Sequence, residues 1–322
     1  MSKSARIWLI VAALAILLGG VVFAGAMTKL DWDFIKLSTQ NYETNSYGIT
    51  EQFDDISIKA STADIEFLPS DDGEVKIVCY EQEKVKHSVT VSGGALVIEA
   101  VDTREWFDHI GINFFDSAKI SVYLPGGEYG KLTVKSSTSD LKVPENFSFE
   151  GIDTTLSTGD VKISASATGT VKLKTTTGDI CAEGISAGSL DISVSTGRVT
   201  ATDIICSGDV RIEVSTGKSK LKNITCQNLF SDGDTGDITL EGVIASGKFD
   251  IERDTGDVSF ERSDAVEIFV ETDTGDVRGT LLSSKVFIAE TDTGDVRVPS
   301  STAGGRCEIS TDTGDIVISI AP

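Results

Sequence analysis

The feature that most constrains the fold of this chain is a Thr-Gly-Asp turn that recurs every 19 or 20 residues through its second half. So regular a period is typical of a solenoid, in which each repeat forms one coil and buries its apolar face only against neighbouring coils. The glycines of the nine copies are Gly159, Gly178, Gly197, Gly217, Gly236, Gly256, Gly275, Gly294 and Gly314. We therefore expect residues 136–322 to fold as a solenoid of such repeats.

The residues around each turn alternate between apolar and polar, which is typical of strands and not of helices. The second residue after the glycine is apolar except at Ser219, and the column is Val161, Ile180, Val199, Ile238, Val258, Val277, Val296 and Ile316. The seventh residue before the glycine forms a second column of Ile152, Val171, Leu190, Val210, Leu229, Phe249, Ile268, Phe287 and Cys307. Stacked about 4.8 Å apart, these columns predict an all-β fold, a single-stranded β-solenoid (β-helix) with an apolar interior.

Glycine suits the turn because it adopts positive φ without steric cost, while the flanking Thr and Asp can bond the neighbouring backbone. The five cysteines are Cys79, Cys181, Cys206, Cys226 and Cys307. Because their number is odd and no Cys-x-x-Cys pair occurs, they imply neither a disulfide framework nor a zinc site. We expect them to act as small apolar residues, with Cys307 in the core.

An apolar run from Ile7 to Ala26 is the one stretch of the sequence long enough to span a membrane as a helix. Lys3 and Arg6 precede it, so the positive-inside rule predicts a cytoplasmic tail of residues 1–6 and an extracytoplasmic remainder. The run is predicted to be a retained signal-anchor helix, residues 7–26, in the plasma membrane. A cleaved signal peptide is the alternative, since Ala24-Gly25-Ala26 has the form that signal peptidase accepts.

Between the anchor and the repeats, the strict period is absent. Residues 27–50 are predicted to form a stalk, and residues 51–135 to form irregular β coils that cap the open end of the solenoid. One excursion in this segment is rich in aromatic residues, with Trp106, Phe107, Phe114 and Phe115. These four residues are a candidate binding patch for a partner or the outer leaflet, or they fold back over the end of the solenoid.

The sequence resembles a family of bacterial envelope proteins of unknown function, the "putative adhesin" β-strand-repeat proteins common in Gram-positive bacteria. The matching features are the N-terminal membrane helix, the Ser121-Val122-Tyr123-Leu124-Pro125 strand end, and the iterated Ser-Thr-Gly-Asp-Val or Asp-Thr-Gly-Asp-Val turns. The likeness runs from about Phe53 to Ile320. It implies a right-handed β-solenoid and a location in the cell envelope, and it implies no activity.

From Asp234 onward each turn carries two acids, at Asp234, Asp237, Asp254, Asp257, Asp273, Asp276, Asp292, Asp295, Asp312 and Asp315. Carboxylate oxygens repeating along one edge are suitable ligands for Ca²⁺, so weak calcium binding is one prediction, and no other cofactor is expected. The other interpretation is that each Asp caps backbone N–H groups of its turn. The Asp-Thr-Gly motif also occurs in aspartic proteases, but those need two aspartates facing each other, whereas stacking lines these up along one edge.

The formal net charge is −22, which excludes nucleic acid as a partner because phosphate contacts require Lys and Arg. Carboxylates that recur on every coil are structural rather than catalytic, so the chain is not expected to be an enzyme. We predict an envelope protein that presents a binding or structural surface to a glycan or protein ligand. The alternatives are an envelope-stress or signalling accessory protein that acts through a membrane partner and, third, a polysaccharide-active enzyme.

Overall fold

The structure is a computed structural model that describes residues 3–29, 31–32, 41–104 and 117–322. It contains one helix, α1 (Lys3–Lys29), whose apolar side chains are mostly exposed and which is long and apolar enough to cross a membrane. All described strands belong to a single sheet of 28 strands. This nearly all-β solenoid of about ten turns, preceded by an apolar helix, confirms the predicted fold class.

The strands fall into an amino-terminal group, a regular middle group and a carboxy-terminal group. The first group is β1 (Tyr42–Ile49), β2 (Asp55–Ala60), β3 (Asp64–Pro69), β4 (Val75–Gln82), β5 (Val85–Ser92), β6 (Ala95–Asp102) and β7 (Lys119–Leu124). The middle group is β8 (Gly127–Thr138), β9 (Leu141–Val143), β10 (Phe147–Thr158), β11 (Val161–Ile163), β12 (Ser166–Ala167), β13 (Thr170–Thr177), β14 (Ile180–Glu183), β15 (Ser186–Ala187), β16 (Ser189–Thr196), β17 (Val199–Cys206), β18 (Val210–Thr216), β19 (Ser219–Cys226), β20 (Leu229–Thr235), β21 (Ile238–Glu241), β22 (Ile244–Thr255), β23 (Val258–Thr274) and β24 (Val277–Leu281). The last group is β25 (Lys285–Thr293), β26 (Val296–Arg297), β27 (Gly305–Thr313) and β28 (Ile316–Ile320).

In the middle group each coil pairs in parallel with the next coil at equivalent positions. β13 pairs with β16 and β14 pairs with β17, so that Val171 lies beside Leu190 and Ile180 beside Val199. The predicted inward columns are buried throughout these coils. Parallel stacking in register therefore turns the period-two pattern of each repeat into one continuous core.

At most of the turns the glycine is required by two features of the backbone. Gly178 has φ +142°, which side-chain-bearing residues rarely adopt, and a Cβ there would collide with the carbonyl oxygen of Gly159 in the preceding coil. Gly236 has φ +132° and meets the carbonyl oxygen of Gly217 in the same way. The predicted positive φ is confirmed at these turns, and close coil-to-coil approach is a second reason for glycine.

At the amino-terminal end, the order of the coils along the solenoid differs from their order in the chain. β2 and β3 lie between β6 and β7 on one side and β8 and β9 on the other. Strand β4 pairs antiparallel with β1 and β7, and β5 pairs antiparallel with β6. We call β1, β4, β5, β6 and β7 the cap. The segment predicted as a stalk, 27–50, thus contains a strand of the folded body, and the boundary predicted at 135/136 falls within β8.

A second change of order occurs at the carboxy-terminal end. Strands β27 and β28, the last in the chain, pair with β23 and β24 on one side and with β25 and β26 on the other. The outermost coil is therefore Lys285–Arg297, where Val286, Ile288 and Val296 are 37%, 48% and 41% exposed. Phe287 and Val296 of the predicted columns are accordingly not fully buried, because no coil stacks upon them.

Candidate functional site

At most turns where an aspartate follows the glycine, its side chain joins successive coils. Asp160 Oδ1 accepts the backbone N–H of Asp179 at 2.8 Å, and Asp179 Oδ1 accepts that of Arg198 at 2.7 Å. The same bond links Asp257 to Asp276 at 2.8 Å. A carboxylate oxygen thus satisfies a backbone donor of the next coil, whereas the capping interpretation placed that donor in the aspartate's own turn.

The other carboxylate oxygen of several of these residues pairs with a nearby cation. Lys218 Nζ lies 2.8 Å from Asp237 Oδ2, and Arg278 lies 2.6 Å from Asp276 and 3.2 Å from Asp315. The hydrogen bond from Lys218 holds the pKa of Asp237 below its usual range. The first acids of the turns, such as Asp234 and Asp254, are exposed. Calcium binding by this edge stays a prediction.

The aromatic patch at Trp106, Phe107, Phe114 and Phe115 lies outside the described residues. Its role as a binding patch or a cover stays a prediction.

The five cysteines lie on strands β4, β14, β17, β19 and β27. All five are free thiols, and four of them are buried. Burial raises the pKa of Cys226 and of Cys307 to about 12 in each case, so both remain protonated and unreactive at neutral pH. Cys307 is in the core as predicted.

A groove of about 430 Å³ runs along the solenoid axis, beside the short strands β12 and β15. Its floor and walls include Tyr129, Phe149, Ala167, Ala187 and Ile205, and serines from four of its five coils line the rim. The volume is within the range of about 300–1,000 Å³ that is usual for ligand sites. Since neighbouring coils are about 4.8 Å apart, a groove that crosses five coils is long enough for an extended chain.

The groove exists because the side chains in one inward column become smaller along the axis. Tyr129 and Phe149 occupy equivalent positions on adjacent coils, with ring centroids 6.0 Å apart, and Ala167 follows at the next coil. Ala187 then continues the column, so the aromatic end forms a step above an alanine floor. Ile205, 66% exposed, stands at the far end as an apolar wall.

The sequence analysis missed this groove, although its signal was present. The decrease in side-chain size from Tyr129 and Phe149 to Ala167 and Ala187 could have been found from the sequence. It requires aligning the repeats on these four positions instead of on the Thr-Gly-Asp turn. Serine hydroxyl groups recur beside most of these positions. Ser166 Oγ, for example, accepts the backbone N–H of Ser186 at 3.0 Å.

Aromatic residues also face outward on β20 and β23. Arg211 lies 4.0 Å from the ring centroid of Phe230, and Arg306 lies 5.6 Å from that of Phe269. Such cation–π contacts cover these half-buried rings, and each contributes about 0.5–1 kcal/mol at exposed sites. We assign these residues to the surface packing of the solenoid.

Solved structures that are similar to the chain at low sequence identity include the following two. One is a "putative adhesin" from Bacteroides fragilis, which is 13% identical, with 87% of this chain and 97% of that chain covered and a TM-score of 0.44. The other is a "putative lipid binding protein" from Parabacteroides distasonis, which is 16% identical, with 88% and 98% covered and a TM-score of 0.46. No curated protein matches the chain.

The profile of one protein family matches the chain over residues 53–213 and 204–322, and that family is described as Toastrack DUF4097. The matched range is the one over which the repeats resemble the "putative adhesin" proteins, so the predicted resemblance is confirmed. Because the match spans most of the chain, the protein belongs to the Toastrack DUF4097 family.

Proposed function

We propose that this protein is a membrane-anchored binding module of the cell envelope, whose solenoid holds a segment of an envelope glycan in the groove from Tyr129 to Ile205. The observation that carries the proposal is the groove itself, which follows the solenoid axis across five coils. A linear polymer fits such a shape because its long axis lies along the direction in which the coils repeat.

The chemistry of the groove supports a glycan. Its alanine and isoleucine surface offers apolar contact to sugar rings, while Ser186 and Ser207 offer hydroxyl groups at the rim. Glu128 and Glu150 also lie on the rim, and their charge disfavours strongly anionic polymers. A neutral or cationic glycan is therefore the ligand class that we propose.

The helix α1 supports attachment at the membrane. It is apolar around its whole circumference and precedes the cap, so a retained helix holds the cap end of the solenoid near the bilayer. The open end, at Lys285–Arg297, then points away from the cap.

We further propose that calcium binds weakly along the aspartate edge, through the exposed first acids of the turns. Several millimolar calcium should raise the thermal unfolding midpoint, since a ligand that binds only the folded state stabilises it. Replacing Asp234, Asp254 and Asp273 together by Asn should remove the shift. A midpoint that calcium leaves unchanged in the wild type rejects this binding and leaves the aspartates as turn caps.

The function is tested by a pull-down from native envelope material with the purified full chain in detergent, with calcium and with chelator. Enrichment of a glycan is the expected result, and its loss under chelator would implicate the aspartate edge. Enrichment of a membrane protein that a helix-only variant also captures would contradict the proposal and favour a signalling accessory role. Release of free sugar from the polymer would instead favour an enzyme.

A further inference from the structure

The cap buries three side chains that the proposed glycan binding does not use. Cys79 and Glu81 are both 0% exposed, and His87 is 4% exposed. One potential ligand atom from each lies within 4.8 Å of the other two. Among the described residues, no other three His, Cys, Asp or Glu side chains bring their potential ligand atoms so close together.

The three side chains meet because two strands of the cap separate. β4 and β5 form a hairpin that is paired at Gln82 and Val85, after which β4 continues beside β1 and β7 while β5 continues beside β6. Cys79 and Glu81 are two residues apart on β4, so their side chains share its inward face. His87 approaches from β5 across the gap, and its Nδ1 lies 2.7 Å from Glu81 Oε2.

Glu81 and His87 are hydrogen-bonded to each other twice, since Glu81 Oε2 also accepts the backbone N–H of His87 at 2.6 Å. A buried carboxylate and imidazole require desolvation, and replacing such a pair by apolar residues is often neutral or stabilising. Here the pair lies beside a third group, a thiol, which is also a metal ligand. The cap interior thus contains a nitrogen, an oxygen and a sulfur donor on two strands.

We propose that Cys79, Glu81 and His87 form a zinc site that joins β4 to β5 and holds the cap together. Zinc accepts thiolate, imidazole and carboxylate ligands, and a site with three protein ligands leaves a fourth position for water. A thiolate in the set argues against calcium or magnesium, which prefer oxygen ligands. Burial, with the nearby Glu81 charge, raises the pKa of Cys79 to about 12, so the thiol is protonated in the absence of metal. On binding, its proton leaves to solvent, and the thiolate and carboxylate together neutralise the dication.

Neighbouring groups would hold the ligands in place. Asn45 Nδ2 donates to Glu81 Oε1 at 2.7 Å, and the hydroxyl of Tyr47 donates to the backbone carbonyl of His87 at 3.2 Å. Both residues belong to β1, so the first strand of the cap supports the site from one side. His87 also lines a cavity of about 20 Å³, which is large enough for about one water molecule.

The test uses the full chain in detergent, stripped with chelator and then dialysed against zinc, with bound metal measured by mass spectrometry. Wild type should retain one zinc per chain, and Cys79→Ser and His87→Gln should lower the apparent affinity by at least about 100-fold, because the loss of a ligand exceeds the loss of a supporting residue. Cys307→Ser is the matched control, since Cys307 is equally buried, at 0% exposed, and should retain zinc like wild type.

A second measurement decides the question even if a cap variant fails to fold. Cobalt added to stripped wild type should produce a thiolate-to-metal charge-transfer band that saturates at one equivalent and is also present in Cys307→Ser. A wild-type protein that retains no zinc and shows no such band would overturn the proposal. So would a folded Cys79→Ser variant that binds zinc as tightly as wild type.

Discussion

At the scale of the residue, most turns combine a glycine that the backbone requires with an aspartate that bonds to the next coil. The glycine column was predictable because its spacing is constant, and the apolar columns followed from it. The zinc ligands were not predictable, since Cys79, Glu81 and His87 lie on two strands and only the separation of β4 from β5 brings them together. A spacing rule that looks for paired cysteines misses such a site.

Substituting Gly178 by alanine should destabilise the solenoid by about 2–3 kcal/mol or more, since it combines unfavourable φ with a backbone collision. Gly48→Ala is the control, because a Cβ at this exposed strand position meets nothing within 4 Å. Thermal unfolding of both variants beside wild type measures the difference. Equal midpoints for the two variants would show that the turn tolerates a side chain.

Arg253 is a buried cation inside the solenoid, 3% exposed, whose Nε lacks a hydrogen-bond partner. Its guanidinium donates to Ser231 Oγ at 2.7 Å and to the Glu252 carbonyl at 3.1 Å, and desolvation lowers its pKa to about 10. We expect Arg253→Met to raise stability by roughly 1 kcal/mol or more, since an apolar chain removes the desolvation penalty. The exposed Arg211→Met serves as the control in the same denaturant titration. A loss of stability in Arg253→Met would mean that its two hydrogen bonds outweigh desolvation.

At the scale of the element, the middle coils stack in the order in which they follow one another along the chain, and the coils at the two ends do not. The order of coils at the ends could not be predicted, because the same Asp-Thr-Gly-Asp turn and the same inward pattern occur in each of the last coils. Ile268 lies beside Cys307. Coils stacked in chain order would place Phe287 there instead. The chain passes from the outermost coil back to β27 through Gly304, which has φ +113°. A side chain at this position would collide with Ser284. That glycine precedes a strand instead of lying in a Thr-Gly-Asp turn.

Glu66 on β3 joins three coils, since it accepts hydrogen bonds from Lys119 on β7 at 2.6 Å and from Lys142 on β9 at 2.9 Å. The hydrogen bond from Lys119, followed by that from Lys142, lowers the pKa of Glu66 below 4.5. A lowered carboxyl pKa contributes stability at neutral pH that is lost as pH falls through the folded-state value. Glu66→Gln should therefore be less stable than wild type at neutral pH, by about 1 kcal/mol or less for so accessible a network.

The difference between Glu66→Gln and wild type should disappear as the pH falls below 4.5, the ordinary value for a glutamate. Glu99→Gln, which removes a single exposed pair with Lys59, is the control and should have a smaller effect. Thermal midpoints across this pH range provide the measurement. A difference that persists unchanged at low pH would mean that Glu66 acts through packing and not through its charge.

At the scale of the whole molecule, the two ends of the solenoid are unlike. The cap end is closed by antiparallel strands, while the far end exposes one edge of β25. An unpaired edge with exposed apolar residues is a site for aggregation. The groove lies between these ends, where coil stacking is regular.

Ile288→Lys should reduce concentration-dependent association of the purified protein, because a charge on an edge strand opposes pairing with another chain. The effect on thermal stability should be within about 0.5 kcal/mol, since the side chain is exposed. Val266→Lys, at a residue that is 57% exposed on an inner coil, is the control. Light scattering over a concentration series would contradict the account if both variants associate as wild type does.

The most direct test of the central claim is the affinity of the full chain for purified envelope polysaccharide, compared among wild type, Ile205→Glu and Val266→Glu. Ile205 forms the wall of the groove, and Val266, outside the groove, receives the same charge at similar exposure, 66% against 57%. We predict that Ile205→Glu weakens binding by about tenfold or more, equivalent to about 1.4 kcal/mol, and that Val266→Glu binds like wild type. Wild-type affinity in Ile205→Glu, or equal losses in both variants, would contradict the assignment of the groove as the binding site.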